Sequence, residues 1–153
     1  MSAKILLISC LFVLLSCNES KEEYEANVEG FESDDKHMLQ AYSDARSSVD
    51  DFIKALSERE EGYRYLVKFR VQDGGEVEHM WGEPITYKQD IFSGVLINRP
   101  VSIKSVEIGS ALRASRDEIS DWAILSPNGE FLAGGYTIQV MKNKEGVKPE
   151  NQL

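Results

Sequence analysis

The first hydrophobic segment of the chain is a short apolar run that follows a single lysine. Residues 5–15 are apolar except for Ser9 and Cys10, and Lys4 is the only charge ahead of them. The run is roughly eleven residues long, whereas a membrane-spanning helix needs about twenty. A positive start followed by a short apolar core is typical of a secretory signal peptide. We therefore expect an export signal at this end of the chain.

The end of this run, Leu-Leu-Ser-Cys at residues 14–17, resembles the lipobox of bacterial lipoproteins. In that motif the cysteine sulfur receives a diacylglyceryl group before cleavage. We therefore predict that residues 1–16 are a lipoprotein signal peptide and that Cys17 is the lipidated first residue of the mature protein. A similar tetrapeptide at residues 7–10 leaves too little apolar core upstream. The alternative interpretation is a buried N-terminal helix or strand of a cytoplasmic protein.

The segment after Cys17 predicts how the folded part is held at the membrane. Asn18 stands where an Asp would resemble the inner-membrane retention signal of Gram-negative lipoproteins, so we predict the periplasmic face of the outer membrane. Residues 18–33 hold six acidic residues, one basic residue and few apolar ones, which is typical of a solvated segment. We assign residues 17–33 to the lipidated cysteine and an acidic tether. Such a tether would span roughly 20–24 Å.

The next pattern is one apolar stripe at helical spacing, which predicts a single amphipathic helix from residue 34 to about residue 58. Ser33 is the expected N-cap, and Asp34 and Asp35 suit the positive end of the helix dipole. Gly62 is the expected stop. The apolar residues of the stripe are Met38, Ala41, Tyr42, Ala45, Val49, Phe52, Ile53 and Leu56.

Alternating apolar and polar residues then predict short antiparallel strands. In residues 63–71 the apolar positions alternate with Arg64, Lys68 and Arg70, which predicts a strand with one buried and one solvent-exposed face. A Gly-Gly turn leads into a second strand at residues 76–81, so the two strands form a hairpin.

Shorter strand patterns follow as far as the last third of the chain. Further strands are predicted at residues 91–97, 111–115 and 122–125. Residues 136–141 alternate again, although this span is too short to exclude a terminal helix. The predicted fold is α+β, with the N-terminal amphipathic helix packed on a curled antiparallel sheet of about five short strands. The domain is expected to cover residues 34–141, followed by a polar tail at residues 142–153.

The charge of the chain excludes two classes of partner. With 26 acidic and 17 basic residues the formal net charge is −9. Nucleic-acid binding depends on basic residues that neutralise phosphates, so we expect no nucleic-acid partner. The same acidity opposes electrostatic adhesion to anionic lipid, so the predicted membrane contact is through acyl chains alone.

Cysteine and histidine are too few for the usual metal or thiol sites. After processing, Cys17 is the only cysteine and is blocked by lipid, which excludes a disulfide, thiolate catalysis and a cysteine-ligated metal. The two histidines, His37 and His79, form no His-x-x-x-His pair, and zinc sites need three or four close ligands. We therefore expect no metal and no cofactor.

Four short motifs carry the most distinctive side chains. They are Glu-His-Met-Trp at 78–81, Gly-Val-Leu-Ile-Asn-Arg-Pro at 94–100, Ile-Ser-Asp-Trp at 119–122 and Gly-Gly-Tyr-Thr at 134–137. In order and spacing they resemble the YegJ-like bacterial domains of unknown function, and the resemblance covers residues 63–141. It implies a small domain, in some members an exported lipoprotein, with no agreed activity.

We prefer the hypothesis of a non-enzymatic binding module, because the chain has a lipobox and an acidic tether and lacks a catalytic constellation. Aromatic and polar side chains that converge on a concave face are typical of ligand and partner sites, so the module would hold an envelope protein or a small ligand. In the competing structural interpretation, Trp122 is a core residue, Asp121 accepts backbone bonds at a strand start and Asn98 closes a turn. The proposed face consists of His79, Trp81, Asn98, Asp121, Trp122 and Tyr136.

The alternative hypothesis is a small periplasmic hydrolase-like enzyme in which Asp121 orients His79 as a general base. No Gly-x-Ser-x-Gly elbow is present, and we assign no catalytic residue. Adjacent strand residues point to opposite faces, so Glu78 should not share a site with His79. A structural histidine competes with both functional roles. A spacer or immunity-like decoy cannot be separated from the binding module by sequence.

Overall fold

The computed structural model describes residues 35–144. The predicted signal peptide, Cys17 and the tether lie outside the described residues. Residues 145–153 of the predicted tail also lie outside them. The elements in chain order are α1 (Lys36–Ser47), α2 (Val49–Ser57), β1 (Arg64–Asp73), β2 (Glu76–Gly82), β3 (Thr86–Lys88), β4 (Ile91–Val95), β5 (Ala111–Ser115), β6 (Asp121–Leu125), β7 (Phe131–Gly134) and α3 (Tyr136–Lys144).

Helix α1 is capped by Asp35 rather than by the predicted Ser33, which lies outside the described residues. The Asp35 Oδ1 atom accepts hydrogen bonds from the backbone N–H of His37 at 2.9 Å and of Met38 at 3.2 Å. These bonds satisfy two N–H groups that have no partner inside the helix. Of the two acidic residues predicted at the helix start, Asp35 is described, and it serves as the cap.

The predicted single helix is interrupted at Ser48. This residue has φ −102° and ψ 8°, and its hydroxyl donates to the Asp44 carbonyl at 2.9 Å. Serine side chains that bond the backbone in this way compete with regular helical bonding. The apolar stripe nevertheless continues across the break. Its buried members are Met38, Ala41, Ala45, Val49, Phe52 and Leu56.

The strands form two antiparallel sheets in place of the single curled sheet that was predicted. The first has the order β2-β1-β6-β7 and the second the order β3-β4-β5. A bridge between Gly82 and Leu96 joins them, flanked by the bond from Ile97 N–H to the Trp81 carbonyl at 3.0 Å. The α+β class is therefore confirmed, with three helices and seven strands in the described range.

Strand β3 escaped prediction because its turn has no glycine. Gln89 and Asp90 connect β3 to β4 with φ values of 50° and 60°. Two-residue hairpin turns need positive φ at such positions, and Asn-Gly or Asp-Gly is their usual sequence signal. Without that signal the hairpin could not be recognised, and the second sheet was missed with it.

Phe52 on α2 lies at the centre of the core. Its ring centroid is 5.2 Å from that of Trp122, 5.9 Å from that of Phe92 and 6.4 Å from that of Tyr65. One side chain thus joins α2 to both sheets. The Trp122 indole N–H donates to the Ala45 carbonyl at 2.9 Å, so the one polar atom of this buried ring has a partner.

The C-terminal motif enters helix α3 through two glycines with left-handed backbone. Gly134 and Gly135 have φ values of 72° and 70°, and the Gly135 N–H donates to the Trp122 carbonyl at 2.8 Å. Because α3 spans Tyr136–Lys144, the first three residues of the predicted polar tail are helical. Between residues 35 and 144, no helix has the length and apolar character that spanning a bilayer requires.

Candidate functional site

The site is centred on one row of residues that crosses three strands of the first sheet. Lys68 in β1 pairs with Trp81 in β2 on one side and with Asp121 in β6 on the other; we call these three residues the central row. Lys68 is only 8% exposed and Asp121 is fully buried. The prediction that Lys68 shares a solvent-exposed face with Arg64 and Arg70 is therefore wrong, because α3 supplies a contact over it.

The Lys68 ammonium is enclosed by one hydroxyl and one aromatic ring. Its Nζ donates to Thr137 Oγ1 at 3.0 Å and lies 5.3 Å from the centroid of the Trp81 ring, a cation–π distance. Burial lowers the pKa of Lys68 to about 8, while the charge of Asp121 opposes that shift. The row therefore holds an ammonium group that is close to its titration point near neutral pH.

Asp121 connects strand β6 to the start of α3. Its Oδ2 accepts from the Thr137 hydroxyl at 2.7 Å and from the Thr137 N–H at 2.8 Å. Its Oδ1 accepts from the N–H of Trp122 at 2.8 Å and of Tyr136 at 3.3 Å. Burial raises the pKa of Asp121, and these hydrogen bonds together with Lys68 act in the opposite direction. The Thr137 hydroxyl thus bridges the ammonium and the carboxylate.

His79 lies in the same strand as Trp81, two residues away, and is held from two directions. Its Nδ1 shares a hydrogen bond of 2.5 Å with Ser120 Oγ, and its ring stacks on Tyr42 of α1 with a centroid separation of 4.9 Å. Burial, followed by the positive charges of Lys68 and Arg70, lowers the pKa of His79 to about 4. The imidazole is therefore neutral at pH 7.

The structure gathers half of the six predicted face residues and separates the rest. His79, Trp81 and Asp121 surround Lys68 in the arrangement described above. Trp122 and Tyr136 instead pack together in a T-shaped contact with a centroid distance of 6.0 Å, inside the core. There the Tyr136 hydroxyl lies 2.8 Å from Ser48 Oγ.

Asn98 has a backbone role at the junction of the two sheets. Its Oδ1 accepts a hydrogen bond from the Trp81 N–H at 2.7 Å, and this bond fixes the backbone of Trp81. Glu78 is directed elsewhere, as the strand alternation predicted. Its carboxylate accepts the N–H groups of Val101 and Ile103 at 2.9 and 2.7 Å, so it binds the loop that follows Asn98.

Sequence reasoning missed four members of the site. Thr137 and Ser120 stand inside two of the quoted motifs, but a hydroxyl residue carries no signal of its partner. Lys68 had one available signal, because Leu66, which lies two residues earlier on the same face of the strand, is apolar and buried. Tyr42 belongs to the helical stripe and could be recognised only as an apolar position.

The donor set does not resemble a metal centre. Within residues 35–144, no group of three histidine, cysteine or acidic side chains is close enough to hold an ion. The central row instead offers an ammonium, an aromatic face and a neutral imidazole. These groups can contact a ligand or a partner without a resident ion.

Comparison with known proteins agrees with the family that the four motifs resemble. A family model described as an uncharacterized protein conserved in bacteria (DUF2314) matches residues 35–152. The uncharacterized protein YegJ of Escherichia coli (strain K12) is 31% identical over 135 residues, which cover 88% of this chain and 85% of that protein. A putative ankyrin repeat protein of Neisseria meningitidis serogroup B is 38% identical over 73 residues, 48% of this chain and 28% of that protein. No solved structure matches.

Proposed function

This chain belongs to the DUF2314 family of bacterial proteins, and from that premise we propose that it is a lipid-anchored envelope protein whose α+β domain is a non-enzymatic binding module. The module binds a partner protein or a small ligand through the surface formed by Trp81 and His79. The observation that carries the proposal is the half-buried Trp81 ring lying over the buried ammonium of Lys68.

Burying these two charges lowers the stability of the domain, so we expect the arrangement to serve a purpose besides folding. Placing a lysine and an aspartate inside a small domain is often less favourable than filling the same space with apolar side chains. Aromatic residues that keep one part exposed beside desolvated polar groups are typical of contact sites, and tryptophan is enriched among the residues that dominate binding energy. Asn98 and Lys68 hold Trp81 in place from its backbone and from its ring.

The alternative, a hydrolase that uses His79 and Asp121, lacks the hydrogen bond that it requires. In the described part of the chain His79 bonds Ser120. The Asp121 Oδ2 atom accepts from Thr137, and its Oδ1 atom accepts from the backbone N–H groups of Trp122 and Tyr136. A general base works best with a pKa near the operating pH, whereas that of His79 is lowered to about 4. The geometry therefore favours binding.

Binding through Trp81 predicts a specific loss on truncation. The full chain is expressed in its own envelope as wild type, Trp81→Ala and Phe131→Ala, and neighbours are captured by chemical crosslinking. Phe131 is the matched control, because it is an exposed aromatic on β7. We expect Trp81→Ala to lower the yield of the captured species by about tenfold or more, and Phe131→Ala to leave it unchanged. Equal yields from all three chains, or no captured species, would contradict the proposal.

Attachment to the membrane is proposed to come from acyl chains on Cys17. Each buried methylene contributes about 0.8 kcal/mol, and two or more chains anchor a protein stably where one does not. Asn18 supports the periplasmic face of the outer membrane over retention in the inner membrane. The acidic tether then keeps the domain away from the headgroups.

Lipidation predicts that one of the two cysteines carries all the label. Cells are fed labelled palmitate, and the mature N-terminus is identified by mass spectrometry. We expect wild type and Cys10→Ser to be acylated at Cys17, and Cys17→Ser to carry no label and to keep its signal segment. Label on the Cys17→Ser chain, or an unlabelled wild type with residues 1–16 still present, would contradict lipidation at Cys17 without affecting the binding proposal.

A further inference from the structure

Three arginines from three separate elements line one open groove of about 540 Å³ at the surface. Arg46 comes from α1, Arg70 from β1 and Arg113 from β5. The groove adjoins the Trp81 surface, because Arg70 pairs with His79 across β1 and β2. It is nevertheless a separate site, since its lining includes neither Trp81 nor His79. Its other lining residues are Ala114, Asp117 and Glu118.

Each arginine retains N–H groups that can bind a ligand. One nitrogen of Arg46 donates to the Ile119 carbonyl at 3.3 Å, and one nitrogen of Arg70 donates to Gln72 Oε1 at 3.0 Å. A guanidinium carries five N–H donors, so these contacts orient two of the side chains and leave most donors available. The Arg113 side chain makes no hydrogen bond or ion pair with the described residues.

The two acids of the groove do not cancel this positive charge. Glu118 is committed to its own turn, since its Oε2 accepts from the Ser115 N–H at 3.0 Å and from the Ser115 hydroxyl at 2.7 Å. Three arginines against two carboxylates leave one excess positive charge, in a chain whose net charge is −9. The positive charge of Arg70 also reaches the neighbouring His79 ring, where it contributes to the lowered pKa.

We propose that this groove is a binding site for a phosphate group. A carboxylate is satisfied by a single arginine fork, whereas the several terminal oxygens of a phosphate can accept from guanidinium groups that approach from different directions. Three arginines delivered by a helix and two sheets suit the second geometry. The phosphate belongs either to a small phosphorylated molecule or to a phospholipid headgroup, and both sources present the same oxyanion to the groove.

The site is tested by titrating the full chain in detergent with two probes. The first probe is inorganic phosphate, and the second is a short-chain phosphatidylglycerol. The readout is the heat of binding, corrected by titrating each probe into detergent alone. Arg113→Ala is the test variant, because no internal contact is lost with it. Arg116→Ala is the matched control, because that arginine pairs with Asp50 at 2.8 Å and does not line the groove.

We expect saturable binding by the wild type. Arg113→Ala should weaken the affinity by about tenfold to a hundredfold, as for the loss of a charge-assisted contact. Arg116→Ala should change the affinity by less than about twofold. Tighter binding of inorganic phosphate identifies a small phosphorylated ligand, and tighter binding of the lipid probe identifies a headgroup. No saturable binding of either probe by wild type, or equal losses in the two variants, would overturn the proposal. Trp81→Ala should leave this titration unchanged, so the two proposals fail separately.

Discussion

Replacing Gly134 with alanine is expected to lower the free energy of unfolding by about 4 kcal/mol or more, which is a large part of the total for a domain of this size. Gly134 has φ 72°, and a Cβ atom built there would lie 2.1 Å from the Trp122 carbonyl oxygen and 2.6 Å from Trp122 Cε3. The left-handed conformation alone costs an L-residue roughly 1–2 kcal/mol. The carbonyl cannot move away freely, because it also accepts the Gly135 N–H.

Gly129→Ala separates the clash from the backbone conformation. Gly129 has φ 84°, and a Cβ atom there would meet nothing within 4 Å. Its replacement should therefore cost only the conformational part, about 1–2 kcal/mol. Urea unfolding followed by tryptophan fluorescence measures both variants. Similar losses for the two variants would show that the contact with Trp122 is not as tight as described.

Replacing Asp121 with alanine is expected to cost about 3–5 kcal/mol, as for leaving a buried charge without its compensating opposite charge. The change leaves the N–H groups of Trp122, Tyr136 and Thr137 without their acceptor, and each buried donor without a partner is itself costly. It also removes the negative charge nearest to the buried ammonium of Lys68. Because that charge raises the pKa of Lys68, the pKa should fall below about 8 in the variant.

Two further variants show whether charge or hydrogen bonding causes the loss. Asp117→Ala removes an exposed acid four residues away and should change the free energy of unfolding by less than about 0.5 kcal/mol. The double variant Lys68→Met with Asp121→Ala removes both buried charges, so it should be more stable than the sum of the single losses predicts. If the losses in free energy of unfolding measured in urea are strictly additive, the central row is not coupled. A loss under about 1 kcal/mol for Asp121→Ala would contradict the role of Asp121 in joining β6 to α3.

The helix and the first strands could be predicted because their signals are local. The stripe that ends in Phe52 and Leu56 is buried as its spacing indicated, and β1, β2, β4, β5 and β6 lie close to the predicted strands. The break at Ser48 was missed, since a serine can either continue a helix or bond back to the preceding turn. Strand β3 was missed because its turn uses Gln89 and Asp90.

The candidate site was only half predictable, for a different reason. His79, Trp81 and Asp121 stand out because histidine, tryptophan and an aspartate beside a tryptophan are chemically distinctive in short motifs. Their real partners, Lys68 and Thr137, are ordinary residues that become part of the site only through strand register and the path of α3. Trp122 was placed in the predicted face, whereas pairing of β6 with β1 directs it into the core.

The sequence by itself determined the apolar stripe, the main strands and the four motifs that lead to the family, because side-chain periodicity and motif order are properties of the chain alone. The prediction of a lipidated Cys17 rests on the same local kind of signal. Only the tertiary structure decided that Lys68 is buried beside Trp81, that Asp121 binds α3, and that Arg46, Arg70 and Arg113 line one groove. Those facts depend on which distant elements meet, and packing free energy selects that arrangement across the whole domain.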